Sequence, residues 1–385
     1  MSTDGVDSLW GQAVSVKPGG DKKNALSVAN LSDQWAMPRF PRRLWAAICL
    51  HMTQTGTTWD TLDWPALDRL RAGFLAGAGA AGAYWQSRSD LANYDLTFAQ
   101  RIAWKWDAVL AELKLRGWTP PLGEVLDWGC GSGVASRCAM REFGIDNVSA
   151  LRLFDRSALA MEFAKARAKV VFPSLTVDSG LSESGRIGLL ILSHVLNELS
   201  GPDRDAVLQL THRADAVLWV EPGTHLDSRG LIAMRELLKA DFDVIAPCTH
   251  QSTCGLLTVG NERHWCHSFA KPPAGVLADG NWVRFGQRMG IDLRSLPYSF
   301  LALERKGLRP AESKFSGWSR LIGAPRVYKG FAKVFSCQVE GVRDLTLQKR
   351  DAPEVFKRLR HEELVMLAKL SVTEERAESV EATLP

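Results

Sequence analysis

The chain has 385 residues, of which 46% are hydrophobic and 23% are charged, and its formal net charge is +4. This length suffices for one full α/β core with additions at both ends, and any nucleic-acid surface must be local because the net charge is small. No apolar run reaches the roughly 18 residues of a membrane span. The N-terminal segment has no apolar signal core and no arginine, so we expect a cytoplasmic protein without membrane association.

The first third of the chain divides into a leader and a helical region. Residues 1–36 are rich in small and polar side chains and are predicted to form a flexible leader. Residues 37–121 are predicted to be helical. One helix begins at Trp64, and a second over about 96–116 places apolar side chains three and four positions apart: Phe98, Ile102, Trp106, Val109, Leu110 and Leu113.

Residues 122–246 predict a Rossmann-like α/β domain built around a glycine-rich loop. An apolar strand runs into Asp127-Trp-Gly-Cys-Gly-Ser-Gly133, and residues 134–143 have the pattern of a helix. Glycines at alternate positions let the backbone turn sharply and approach a ligand, beside the free N–H groups of the helix N-terminus. A tight turn without a ligand would show the same glycines, so the neighbouring strands must decide.

The strands that follow end in polar side chains. Asp155 ends the second strand about 20 residues after the loop, which is the spacing of a ribose-binding acid, although capping the next helix would also account for it. Ligands in such sheets bind at the carboxyl ends of the strands. The strands at 189–192 and 217–220 therefore add candidates for the pocket, each of which could instead cap a loop: His194, Asn197, Glu198 and Glu221.

Residues 247–350 are predicted to hold a cysteine segment and a basic lobe. Cys248, Cys254 and Cys266 lie close together in the sequence and Cys337 follows much later, without the paired knuckles typical of structural zinc. Spacing alone leaves an iron–sulfur cluster, zinc or no metal open. Residues 301–360 carry fourteen Lys and Arg against six Asp and Glu, interleaved with Trp318, Tyr328 and Phe331, which suits single-stranded RNA. A solvated basic surface is the alternative.

Residues 351–385 are predicted to form a helix from about 352 to 370, followed by a frayed acidic tail.

The loop and the acid together resemble the S-adenosylmethionine pocket of class I methyltransferases. In that superfamily the loop passes the methionine moiety and the acid after the second strand holds the ribose. With the histidine at the next strand end, the predicted cofactor-binding residues are Asp127, Gly129, Gly131, Gly133, Asp155 and His194.

Further segments resemble the mitochondrial ribosomal small-subunit protein twenty-two family, whose members are methyltransferase-like ribosome assembly factors. They are Phe40-Pro-Arg-Arg-Leu44, Ser193-His-Val-Leu-Asn-Glu198, Val220-Glu-Pro-Gly223 and the cysteine segment. The resemblance implies binding to small-subunit rRNA or the pre-ribosome, with no DNA partner expected. It also implies a structural 4Fe–4S cluster, with zinc as the alternative, on Cys248, Cys254, Cys266 and Cys337.

The sequence leaves open whether methyl transfer occurs. No Asn/Asp-Pro-Pro-aromatic run follows the strand at 189–192, and neither that strand nor the one at 217–220 ends in a cysteine nucleophile. We therefore assign no catalytic residue and expect an rRNA-binding, methyltransferase-like factor for small-subunit assembly. The alternatives are an active rRNA methyltransferase and a small-molecule methyltransferase with a structural zinc site.

Overall fold

The computed structural model describes residues 56–76, 84–182, 185–309, 315–361 and 365–384. The predicted leader, the Phe40–Leu44 motif and Cys49 lie outside the described residues. Within them, no helix combines the length and the apolar character needed to cross a bilayer.

In the described part of the chain three helices precede the sheet, and the sequence pattern predicts the first and the third of them. They are α1 (Trp64–Leu75), α2 (Arg88–Leu96) and α3 (Phe98–Leu115). The Asp63 side chain caps α1 by accepting a hydrogen bond from the Ala66 amide. The apolar stripe of α3 is buried against the sheet, which confirms the periodicity of its sequence.

The strands and the helices that connect them form a doubly wound sheet with helices on both faces. In chain order these elements are β1 (Gly123–Trp128), α4 (Val134–Phe143), β2 (Val148–Phe154), α5 (Ala158–Val171), β3 (Val177–Ser179), β4 (Ile187–Ser193), α6 (Gly201–Arg213), β5 (Ala214–Pro222), α7 (His225–Leu238), β6 (Phe242–Ala246), β7 (Ser268–Ala270), α8 (Gly280–Met289) and β8 (Leu296–Arg305). The strand order is β3-β2-β1-β4-β5-β8-β6, with β7 on β8. The order reverses between β1 and β4, which places a ligand crevice at their carboxyl ends.

The two faces of the sheet bury different helices. Alternate residues of a strand point to opposite faces, so Val125 packs with α3, α4 and α8 while Leu126 packs with α6 and α7. Both faces are apolar, as expected for a sheet covered on both sides.

The sheet continues beyond residue 246, where the sequence placed the end of this domain. β8 is antiparallel to both β5 and β6, and it is buried along almost its whole length. Its run of apolar residues is typical of a central strand of the sheet, so β8 does not belong to a separate lobe. The three neighbouring cysteines lie in the segment between β6 and β7. Within residues 247–305, this segment is the part that corresponds to the predicted cysteine segment.

The C-terminal strands close into a small barrel. They are β9 (Ser319–Val327), β10 (Phe331–Gln338), β11 (Gly341–Gln348), β12 (Leu367–Thr373) and β13 (Arg376–Leu384), with α9 (Pro353–Arg360) between β11 and β12. The prediction of a helix to residue 370 and a frayed tail is therefore wrong. Residues 367–384 form a hairpin whose strands complete the barrel, because their apolar side chains are buried in its core.

A buried group of charges joins the barrel to the sheet. The Glu112 carboxylate on α3 accepts hydrogen bonds from Arg116 (2.7 Å) and from Arg320 on β9 (2.6 and 2.7 Å). Arg116 also donates to the backbone carbonyls of Ile245, Pro247 and Cys248. One carboxylate thus fixes the start of the cysteine segment and the first barrel strand to the same helix.

Candidate functional site

The glycine loop takes the backbone conformation that its sequence predicts. Gly129, Gly131 and Gly133 have φ values of 72°, 51° and 74°, which favour glycine. A Cβ atom at Gly129 would lie 2.6 Å from a methyl group of Val195, so this glycine is needed for packing. A Cβ atom at Gly131 would meet no atom within 4 Å, so Gly131 faces open space at the crevice. Such a cradle fits a ligand that passes close to the backbone.

Asp155 and Asp127 support the loop from two sides. The Asp155 carboxylate accepts hydrogen bonds from the amides of Gly131 (2.9 Å) and Ser157 (2.9 Å), and burial raises its pKa. Asp127 is fully buried and accepts from the Ser136 hydroxyl (2.6 Å), which holds the first turn of α4. Its Oδ1 has no hydrogen-bond partner among the described residues. Asp127 thus shapes the loop, and Asp155 lies where the loop meets the end of β2.

Two tyrosines that the sequence did not indicate lie near the acids at the strand ends. Tyr84 and Tyr94 have raised pKa values, first because of burial and then because of the charges of Glu198 and Asp155. Burial and Asp155 raise the pKa of Glu198 to about 7. These aromatic and acidic side chains lie near Asp155, and the capping box at Ser87 fixes the start of the helix that contains Tyr94.

A lysine and a histidine meet at the end of β4. Nζ of Lys105 lies 3.4 Å from Nε2 of His194, whose Nδ1 is 3.3 Å from the Ser193 hydroxyl. Burial and the nearby Arg101 lower the pKa of Lys105 to about 7, and burial with Lys105 holds the pKa of His194 well below its usual range. His194 has a φ of 57°, an uncommon conformation for a residue other than glycine. The sequence patterns did not identify Lys105 as a site residue, although it lies on the apolar face of α3.

Glu221 supports the turn that contains His194. Its Oε1 accepts hydrogen bonds from the Trp219 indole (2.6 Å) and from the amides of Val195 and Leu196 (both 3.1 Å), and burial raises its pKa to about 8. Its Oε2 has no partner among the residues that the structure describes. Of the alternatives for Glu221, loop capping is the one these contacts support.

The fold brings the four predicted cysteine ligands into one region. Cys254 and Cys337 pack in a single apolar cluster against which Cys266 is packed. The pKa values of Cys254, Cys266 and Cys337 are raised, first by burial and then by Cys248. Nε of Arg235 donates to the Cys248 sulfur at 3.3 Å. The four thiols therefore share one electrostatic environment, although they come from two distant parts of the sequence.

Four thiols in apolar surroundings are a donor set that fits either an iron–sulfur cluster or zinc. All six described cysteines are free thiols, and within the described ranges no set of three His, Cys, Asp or Glu side chains has the spacing of one metal ion. Apolar packing and soft sulfur donors are the surroundings that iron–sulfur clusters use.

Comparison with solved structures finds proteins of low sequence identity, several of which are named as methyltransferases. A Thermoplasma acidophilum protein is 13% identical over 57% of this chain and 98% of its own, with a TM-score of 0.34. The ribosomal protein L11 methylase of Lactobacillus delbrueckii is 17% identical over 51% of this chain and 77% of its own, with a TM-score of 0.29. TrmK of M. capricolum, solved with S-adenosyl-homocysteine, is 7% identical over 51% and 67%, with a TM-score of 0.28.

The fold is an α/β, Rossmann-like sheet with N-terminal helices and a small C-terminal barrel. No curated protein sequence matches the chain. The sequence profile of the family described as "Mitochondrial small ribosomal subunit Rsm22" matches residues 118–364, which include the glycine loop, the four cysteines and most of the barrel. The chain therefore belongs to the Rsm22 family.

Proposed function

We propose that the protein is a methyltransferase-like factor that binds S-adenosylmethionine and small-subunit rRNA and acts in assembly or translation on the ribosomal small subunit. The observation that carries the proposal is that one family profile, named for the ribosomal small subunit, spans both the glycine loop and the first three strands of the barrel. A small-molecule methyltransferase would need the loop and the sheet, but it would have no use for a barrel with a basic surface over residues 326–350.

The crevice at β1, β2 and β4 is the proposed cofactor site. The open space at Gly131 would receive the methionine part of the ligand, and Asp155 would accept hydrogen bonds from the ribose hydroxyls. Asp127 would hold the loop in place and would not contact the ligand itself, since its carboxylate is fully buried. When bound, S-adenosylmethionine supplies an electrophilic methyl group. The turn with His194 would close the opposite side of the crevice.

Cys248, Cys254, Cys266 and Cys337 are the proposed ligands of a structural 4Fe–4S cluster. The supporting observations are their common environment and the Arg235 guanidinium, which would offset the negative charge of the thiolates. A cluster there would join the segment after β6 to β10 and so hold the barrel on the sheet. Zinc is the alternative occupant.

An active rRNA methyltransferase is the second candidate function. It is favoured by Lys105, whose pKa of about 7 leaves a substantial neutral fraction that could accept a proton at neutral pH. Arg101 also places a positive charge near this end of the crevice, which favours an anionic acceptor.

Crosslinking of the protein to RNA in cells, mapped by position, tests the first proposal. Enrichment of small-subunit rRNA is the expected result, and crosslinks with no preference for that rRNA would contradict it. Transfer of a labelled methyl group to small-subunit rRNA, compared with a Lys105→Met variant, separates the two candidates. Turnover that depends on Lys105 would establish the enzyme.

A further inference from the structure

The C-terminal barrel has the topology of an OB-fold. Numbered from β9, its strands follow the closed order one-two-three-five-four, and β9 pairs with both β10 and β12. β11 and β13, the third and fifth strands, are parallel, and α9 lies between the third and fourth strands. Phe356 and Leu359 of α9 fill the barrel core. OB-folds bind oligonucleotides on the face of their second and third strands and at the loop between the first and second.

The outward face of β10 and β11 is divided into a covered half and an open half. Ala332 and Val334 point into the barrel, so Phe331, Lys333 and Phe335 point outward. Phe335 lies against the His264 ring, with centroids 4.6 Å apart, in the half that the cysteine segment covers. The open half begins at Lys333, which pairs across the sheet with Thr346 of β11 and Arg326 of β9.

The β9–β10 turn presents an aromatic platform beside this open half. Tyr328 is 48% exposed and stacks on Phe331, with centroids 4.6 Å apart and an interplanar angle of 17°. The Lys349 amide donates to the Gly330 carbonyl (3.0 Å), which places the β11–α9 connection next to the turn. A shallow cavity of about 480 Å³ lies there, lined by Gly330, Gln348, Lys349, Arg350 and Pro353.

The charge on this side of the barrel favours an anionic partner. Residues 326–350 contain six Lys and Arg against two Asp and Glu, and one of those acids, Asp344, is paired with Arg326 (2.5 Å). The opposite β12–β13 hairpin is acidic, with Glu374, Glu375, Glu378 and Glu381. A polyanion would therefore follow β10 and the β9–β10 turn and would be repelled from the hairpin that many OB-folds also use.

We infer that the Tyr328–Phe331 platform, with Lys333 and the Lys349–Arg350 cavity, binds single-stranded RNA. An exposed aromatic ring can stack on unpaired bases, whereas the bases of a duplex are already stacked on each other. This inference rests on the proposed function, because it names the surface through which the RNA partner is held. The covered half of the face limits the site to a few nucleotides.

The test is fluorescence anisotropy of the full-length protein with a labelled, unstructured RNA oligonucleotide. Tyr328→Ala is expected to weaken binding about tenfold, as for loss of one base stack, while Tyr328→Phe retains the wild-type affinity. Lys333→Gln should lower the slope of log affinity against log salt by about 0.7. Lys369→Gln, which removes an exposed charge from the acidic side of the same barrel, should leave affinity and slope unchanged.

Several outcomes would overturn the inference. If the wild-type protein binds the RNA and Tyr328→Ala binds equally well, RNA is held elsewhere and the proposed function stands without this site. Equal affinity for duplex RNA, or full competition by polyglutamate, would also reject a single-strand site. If the wild-type protein binds no RNA at any salt concentration, that result contradicts both the inference and the proposed rRNA partner.

Discussion

Nζ of Lys105 lies 3.4 Å from Nε2 of His194, so a buried amine of α3 lies at the end of β4. Two protonated groups at this distance would repel each other, and both have lowered pKa values. The lysine and the histidine together therefore carry mainly at most one positive charge. The pair lies after β4, where the sequence lacks the Asn/Asp-Pro-Pro-aromatic run, and the sequence predicted His194 there but not its contact with Lys105.

Replacing Lys105 with methionine should stabilise the protein, and the gain should depend on pH. The pKa of Lys105 is about 7 in the fold and 10.5 in the unfolded chain, so burial costs stability as pH falls from 10.5 towards 7. Urea unfolding should show a gain of about 2–4 kcal/mol at pH 7 that shrinks to below about 1 kcal/mol near pH 10. Lys114→Met, an exposed lysine of the same helix, is the control. A gain that is equal at both pH values would contradict the buried, neutral amine.

Gly131→Asn should abolish cofactor binding without unfolding the protein. Asparagine tolerates positive φ better than other residues, and the side chain would project into the open space of the crevice. Isothermal titration with S-adenosyl-homocysteine is expected to lose at least tenfold in affinity. Gly290→Asn is a matched control, since Gly290 has a φ of 62° and open space but lies after α8, at the end of a different helix. Unchanged affinity in Gly131→Asn would remove the pocket assignment.

The sequence predicted the sheet and the loop well because local patterns encode them. The strand before Asp127, the glycines and the helix from Val134 all follow from neighbouring residues. Lys105 was missed because helical periodicity predicts that it is buried on α3 but not which strand end it reaches. No local pattern specifies that partner.

The barrel could not be predicted because its closure depends on distant residues. Arg320 of β9 pairs with Leu367 of β12 and with Cys337 of β10, and no short window contains these pairs. The apolar run at 365–370 fits a helix or a strand, and only its pairing with β13 decides between them. The same holds for β8, whose place between β5 and β6 requires the whole sheet.

Glu112→Gln should destabilise the protein strongly, because Arg116 and Arg320 would remain buried without their counter-charge. Glu112 is 1% exposed, and the loss of one partner of a buried ion pair costs about 3–5 kcal/mol. The measurement is the free energy of unfolding in urea. Glu142→Gln, which breaks only an exposed pair with Lys114, should cost less than about 1 kcal/mol. Equal losses in the two variants would show that the buried group does not join the barrel to the sheet.

Cys254→Ser should remove the proposed cluster, whereas Cys138→Ser should retain it. Both thiols are buried, but only Cys254 lies with Cys337 in the apolar cluster, and Cys138 is on α4 near Arg141. After anaerobic purification, the wild type and Cys138→Ser are expected to contain iron and sulfide and to absorb visible light, and Cys254→Ser is expected to have neither property. The thermal stability of Cys254→Ser should also fall to that of wild type from which the iron has been chelated, because the proposed cluster would join the segment after β6 to β10. Iron retained in Cys254→Ser would show that Cys254 is not a ligand, and zinc in place of iron in the wild type would replace the cluster with the alternative metal.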